Sequence, residues 1–188
     1  MPPTALIVVD LQLGTEDPSW GPRNNPDCVA NVEALLEAWR ARREPVVYIR
    51  HDSVEPGSTL RPGEPGNDLH PVLAAEPDLF VTKQVSSAFH GEPDLAAWLR
   101  ARGIERLVMC GVQTNMCCET SARVGAVLGF DVGFVIDATY THDRLTRDGD
   151  LISADMLAQV TAVNFEPEFG RVISTPEAID ELELRRVA

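Results

Sequence analysis

Asp10, Lys83 and Cys117 bring a carboxyl, an ammonium and a thiol, the groups that a nucleophilic hydrolase needs, from distant parts of the chain. Lys83 is the single lysine among sixteen Lys and Arg residues. A bare positive charge is arginine everywhere else. Only an ammonium can release a proton when desolvated, so a lone lysine points to chemistry. Cys117 lies in "CGVQTNMCCET", which reads as a strand end, a tight turn and a helix start. Thr114 is the expected N-cap, with Cys117 in the first turn. Unpaired backbone N–H groups and the helix dipole there favour an anion, which predicts a thiol below its free value of about 8.5. The N–H groups near Gln113 and Cys117 also suit a developing oxyanion. Asp10 is the expected general base for the thiol and the proton donor to a leaving amine. Each residue alone has an ordinary alternative: a loop acid, a solvated lysine, an inert buried thiol.

The predicted elements bring the three together. "TALIVVD", "PVVYIRH", "LFVTK", "ERLVMCG", "DVGFVIDA" and "GRVIS" read as short buried strands. Between and after them come helices at "VANVEALLEAWRARR", "PDLAAWLRARG", "TNMCCETSARVGAVLG", "DLISADMLAQVTAV" and "TPEAIDELELR". This alternation predicts an α/β, three-layer, doubly wound fold: a mainly parallel six-stranded sheet with helices on both faces. No repeat or linker interrupts it, so residues 1–188 read as one domain. Ligands bind at the carboxyl ends of such strands, where Asp10, His51, Asp52, Lys83, Gly111 to Cys117 and Asp137 fall. Residues 52–78, rich in Pro, Gly and Asp, are too long for an idle connection and read as a functional loop. Gln12, Trp20, Phe89 and Gln113 flank the three chemical groups and are expected in the pocket wall. Arg61, in the long loop, is a candidate partner for a substrate carboxylate, although a solvated arginine is the commoner state.

Composition excludes several classes. A formal net charge of −13 disfavours nucleic acid and anionic membrane as partners. There is no apolar run long enough to span a bilayer. The start, "MPPTALIVVDLQ", lacks a basic leader, and a cytoplasmic location is expected. Cys28, Cys110, Cys117 and Cys118 form no CxxC pair, so reduced thiols are expected. Cys118 lies about 100° round the helix from Cys117 and cannot share its direction. "DLQLGTED" after the first strand is not G-x-G-x-x-G, which excludes a dinucleotide cradle there.

Three stretches together resemble the isochorismatase-like cysteine hydrolase superfamily: "IVVDLQ", "VTKQVSSAF" and "VMCGVQTNMCCETSARVGAVLGFDVGFVIDA". The resemblance spans nearly the whole chain. It implies Asp10, Lys83 and Cys117 as a triad, a cis peptide at Val112–Gln113, and a homodimer or homotetramer. The resemblance also implies a small-molecule substrate.

Some relatives in that superfamily, the nicotinamidases, hold a divalent metal through D-x-H and a further His. Here the stretch is "RHDSVEP", with Asp52 followed by Val54 where the second ligand belongs. His51, Asp52 and His70 are the remaining candidates. Without that spacing no metal and no cofactor are expected. True isochorismatases cleave a vinyl ether and do not need the cysteine. Cys117 therefore points to acyl transfer through a thioester, on an amide, carbamoyl or ureido C–N bond. The alternatives are ether hydrolysis and a non-catalytic binding protein of the same fold.

Overall fold

The computed structural model describes residues 2–184. β1 (Thr4–Val9) is buried along its whole length, as expected of a central strand covered on both faces. α1 (Cys28–Arg42) follows, then β2 (Val46–His51) and β3 (Leu79–Lys83). α2 (Leu95–Ala101) leads to β4 (Arg106–Val112). A π-helical turn (Thr114–Cys118) runs directly into α3 (Glu119–Val127), and β5 (Asp131–Tyr140) comes next. A small antiparallel hairpin, β6 (Arg144–Leu145) with β7 (Leu151–Ile152), precedes α4 (Ala154–Phe165). β8 (Arg171–Ile173) and α5 (Thr175–Leu184) complete the fold. The predicted last helix reaches Arg185, which lies outside the described residues.

The main sheet has the order β3-β2-β1-β4-β5-β8, and every pairing is parallel. Alternate residues of β1 feed two cores. Leu6 and Val8 pack with Leu35, Leu36 and Trp39 of α1 and Leu182 of α5. Ala5, Ile7 and Val9 pack with Leu95 and Leu99 of α2, Ala122 of α3 and Phe165 of α4. Each large side chain so buried contributes about 1.5–3 kcal/mol, set against the entropy of ordering it. The expected three layers are present.

Strand order reverses between β1 and β4, which are neighbours in the sheet although β2 and β3 come between them in the chain. The connections from these two strands leave in opposite directions and open a crevice at their carboxyl ends. Asp10 lies at the end of one strand and Cys117 just past the end of the other.

Two departures from the sequence expectation shape this crevice. β5 extends to Tyr140, and its register against β4 jumps between Met109 and Gly111. Asn25 and Asn31 donate side-chain amides to the Asp137 carbonyl at 2.7 and 2.6 Å, which pairs the bulged backbone. Cys117 lies in a π turn rather than the first α-turn. Its N-cap is Gln113, and Thr114 instead donates its hydroxyl to Thr139 Oγ1 at 2.9 Å. Asn115 Oδ1 accepts from Thr141 at 2.5 Å, so the turn is fastened to the extended end of β5.

Gly111 shows how closely β1 and β4 approach. Its φ is +118°, and a Cβ there would sit 2.0 Å from the Val9 carbonyl oxygen. Gly111→Ala is expected to lose about 4 kcal/mol or more, lowering the melting temperature by roughly 10 °C. A thermal scan within about 2 °C of the parent would show that the strands can separate without cost.

Candidate active site

Asp10 follows β1 with φ 47°, a conformation uncommon outside glycine but tolerated by Asp and Asn. Its N–H bonds Ile49 O at 3.0 Å, and the turn directs the carboxylate into the crevice. Lys83 ends β3, two strands away, at about 10 Å of strand spacing. Its register partner on β2 is His51. Lys83 Nζ donates to Asp10 Oδ2 at 2.5 Å, and both side chains are essentially sealed from solvent. A second ammonium hydrogen faces His51 Nδ1 at 3.3 Å. Asp10, His51 and Cys117 each bring a polar atom within 4.8 Å of the others. Among the described residues the buried Asp10 Oδ1 makes no full hydrogen bond, and the Cys117 thiol interacts with the carboxylate at longer range.

These groups shift one another. Burial would lower Lys83, but the Asp10 carboxylate beside it prevails and raises the ammonium, which stays charged. Burial lifts Asp10 above the usual carboxylate range, and the Lys83 charge pulls it back. A neutral acid here would leave a buried cation without a counter-charge, so the ionised pair is the favoured form. Burial lowers His51, and the Lys83 charge lowers it further, leaving a neutral ring whose Nδ1 accepts from the ammonium. Burial and the Asp10 charge push the Cys117 thiol up to about 12, against the opposing pull of Lys83. This corrects the expectation of a lowered thiol: desolvation and the neighbouring carboxylate outweigh the Lys83 charge. At rest Cys117 is a protonated thiol next to a carboxylate. Cys28, Cys110 and Cys118 are buried free thiols.

The crevice opens into a cavity of about 250 Å³, lined by Asp10, His51, Trp20, Gln113, Met116, Cys117 and Arg144 among others. Trp20 is in the wall as expected. Its indole N–H is held by Thr59 Oγ1 at 3.1 Å, and its ring packs against His142. Gln113 is also in place, directly after the Val112–Gln113 peptide, which is cis as the resemblance implied.

Gln12 and Phe89 are not in the wall. Gln12 is fully buried as a clamp: Nε2 donates to His51 O at 3.1 Å and Asn67 O at 2.9 Å, while Oε1 accepts from His51 N at 2.8 Å. It ties the end of β2 to the 52–78 loop. The same loop closes on residues 13–16, where Gly66 meets Gly14 so tightly that a Cβ on Gly66 would lie 2.7 Å from the Gly14 Cα. Ser53, Glu55, Ser58 and Leu60 of this loop form one side of the cavity. Phe89 stacks on Phe130 at 5.8 Å and lies over Gly125 of α3. It binds the segment after Lys83 to the helix after Cys117. Nearby, Ser121 of α3 accepts from Ala88 N at 2.9 Å.

The nicotinamidase metal ligands do not assemble. Both Asp52 oxygens are held by Arg50, at 2.8 and 3.0 Å, and Asn67 adds a third bond. His70 turns its Nδ1 to Val72 N and its Nε2 toward Glu16, away from the cavity. His51, Asp10 and Cys117 do converge, but the Lys83 ammonium already lies among them and would repel a cation. These residues do not fit a catalytic metal.

Sequence reasoning also missed His142 and Arg144. Gln113 Nε2 lies 2.8 Å from His142 Nδ1, and Gln113 Oε1 accepts from Arg144 Nη2 at 2.9 Å. Neither residue lies in one of the three quoted stretches, and only the extension of β5 brings them over the site. Arg61 is exposed and outside the cavity.

A model of the isochorismatase domain matches residues 4–165. The chain belongs to the isochorismatase family. An uncharacterized family protein, YrdC of Bacillus subtilis (strain 168), is 30% identical over 94% of this chain and 95% of its own. Nicotinamidase 3 of Arabidopsis thaliana is 28% identical, covering 79% of each chain. Streptothricin hydrolase of Streptomyces noursei is 34% identical over 82% of this chain and 62% of its own. Among solved structures, an isochorismatase-family protein from Chromobacterium violaceum ATCC 12472 superposes with a TM-score of 0.91 at 38% identity, over 97% of this chain and 95% of that one. A cysteine hydrolase from Pseudomonas syringae pv. phaseolicola 1448A reaches a TM-score of 0.86 at 30% identity, over 96% and 92%. The family assignment makes this chain an isochorismatase-family hydrolase.

Removing the Asp10 charge separates ionisation from turnover. In Asp10→Asn the repulsion on the Cys117 thiolate is gone while Lys83 still attracts it. The midpoint of iodoacetamide labelling against pH is therefore expected to move down. An unmoved or raised midpoint would show that Asp10 does not hold the thiol protonated. Asn also tolerates the left-handed backbone at this position.

Proposed function

We propose that the protein is a cysteine-dependent hydrolase of a C–N bond in a small amide, carbamoyl or ureido compound. The observation that carries this reading is the sealed Asp10–Lys83 pair with one carboxylate oxygen free of a full hydrogen bond beside Cys117. A base with free capacity next to a thiol, in a cavity that admits substrate, is the arrangement acyl transfer requires. The relative named a nicotinamidase supports the C–N assignment, and the structure named a cysteine hydrolase supports a role for the thiol.

In this mechanism the Cys117 proton passes to Asp10 as the sulfur attacks the substrate's carbonyl carbon. Coupling the two events avoids a free thiolate, which burial disfavours. The carbonyl π electrons move onto oxygen, and the backbone N–H groups of Gln113 and Cys117 receive that charge. Collapse of the tetrahedral species expels the nitrogen, which takes the proton from Asp10 and leaves as ammonia or an amine. A water then gives its proton to Asp10 and its oxygen to the thioester carbon. Collapse of this second adduct releases the acid or carbamate, and the departing sulfur recovers the proton. Lys83 keeps its proton throughout, fixing Asp10 through Oδ2 and balancing whichever anion is present. A guanidinium would be too bulky and planar for this sealed position, which accounts for the lone lysine.

Ammonia release from a panel of small amides, carbamoyl and ureido compounds tests the proposal. At least one compound is expected to turn over, with Cys117→Ala reducing kcat at least about a thousandfold. Ammonia formation in Cys117→Ala at the parent rate would remove the thiol from the mechanism. Lys83→Arg is expected to lose about a hundredfold or more. Near-parental turnover would show that positive charge alone suffices.

A further inference from the structure

We propose that Arg144 binds an anionic group of the substrate, so that the protein selects small amides or ureides bearing a carboxylate. The inference rests on the hydrolase reading and names its substrate class. It is carried by the juxtaposition of Arg144 with Gln113 at the rim of the catalytic cavity.

Arg144 opens the β6–β7 hairpin and lines the cavity that holds Asp10 and Cys117. One of its N–H groups is committed to Gln113 Oε1. It makes no ion pair among the described residues, so the rest of its planar donor fork can meet a carboxylate. The Gln113 amide is itself fixed from the other end by His142. The hairpin is anchored on both sides of the arginine. Asp143 N bonds Pro22 O at 3.0 Å, Asp143 Oδ1 accepts from Ala154 N at 2.7 Å, and Thr146 closes the turn against Asp150. Arg144 is exposed at the rim, and its bond to Gln113 Oε1 gives the guanidinium a direction over the cavity.

The other charges around the cavity limit where an anion can bind. The Lys83 charge is neutralised by Asp10, and Glu55 on the loop side would repel an anion. Arg144 is the cation left uncompensated in the lining. At about 250 Å³ the cavity lies below the range of drug-sized pockets, which favours a compact substrate spanning from Cys117 to the rim.

The charge preference can be read without turnover. Iodoacetate carries a carboxylate and iodoacetamide does not, and both alkylate the same sulfur. The ratio of their rates at Cys117, divided by the same ratio for free glutathione, cancels general changes in thiol reactivity. The normalised ratio is expected to exceed one in the parent. It should fall about tenfold or more in Arg144→Gln and be partly kept in Arg144→Lys. Succinamate should protect Cys117 from iodoacetamide, and butyramide should not. A ratio at the free-thiol value in the parent, or unchanged in Arg144→Gln, overturns the assignment. If neutral amides are hydrolysed while the ratio is flat, the Arg144 assignment alone fails. If the ratio depends on Arg144 but nothing is hydrolysed, the hydrolase reading alone fails.

Discussion

A salt bridge sealed from water is the constraint on which the site depends. Lys83 and Asp10 come from opposite sides of β2, and neither charge could be buried without the other. Removing one partner of such a pair costs several kcal/mol because the remaining charge cannot be hydrated. The pair therefore does more than hold two residues in place. It keeps a carboxylate ionised in an apolar crevice, with one oxygen free of a full hydrogen bond. Around it the surrounding groups are arranged to add no further charge: His51 is neutral and accepting, and Cys117 is a protonated thiol. The resting site is close to electrically balanced. A proton passing from sulfur to carboxylate would create no uncompensated charge here.

Topology brings this pair to Cys117. The reversal of strand order places the ends of β1 and β4 side by side, and Gly111 lets their backbones meet closely. Ties from side chains then hold the three chemical segments in register. Gln12 and Asn67 fasten the long loop to the end of β2. Phe89 and Ser121 fasten the Lys83 segment to α3. Thr114 and Asn115 fasten the Cys117 turn to β5. Several residues in the quoted stretches thus hold Asp10, Lys83 and Cys117 in position, which explains why each stretch is longer than the one chemical group it carries.

Most of the fold was legible because its signals are local. Six buried apolar runs alternate with amphipathic stretches, and this pattern admits few arrangements other than a covered parallel sheet. Asp10, Lys83 and Cys117 could be found for the same reason: each stands at or just beyond a strand end. Lys83 was conspicuous by type as well. Gln12 and Phe89 were misplaced because adjacency along the chain was taken for adjacency to the cavity. Gln12 points beneath the loop, and Phe89 points into the packing of α3. Thr114 has the right chemistry for a cap, but a hydroxyl on β5 competed for it and won.

What the sequence determined by itself was the element order, the class of sheet and the identities of acid, ammonium and thiol, because period and strand-end position are properties of neighbouring residues. What only the tertiary structure decided was the electrostatic state of those groups and the charge at the rim. The Cys117 thiol is raised rather than lowered because the fold buries it, and because Asp10, more than a hundred residues earlier, lies beside it. Arg144 reaches the cavity because β5 runs on past its bulge and returns through a hairpin. Desolvation and charge pairing depend on what lies within a few ångströms in space, and no spacing along the chain encodes that distance.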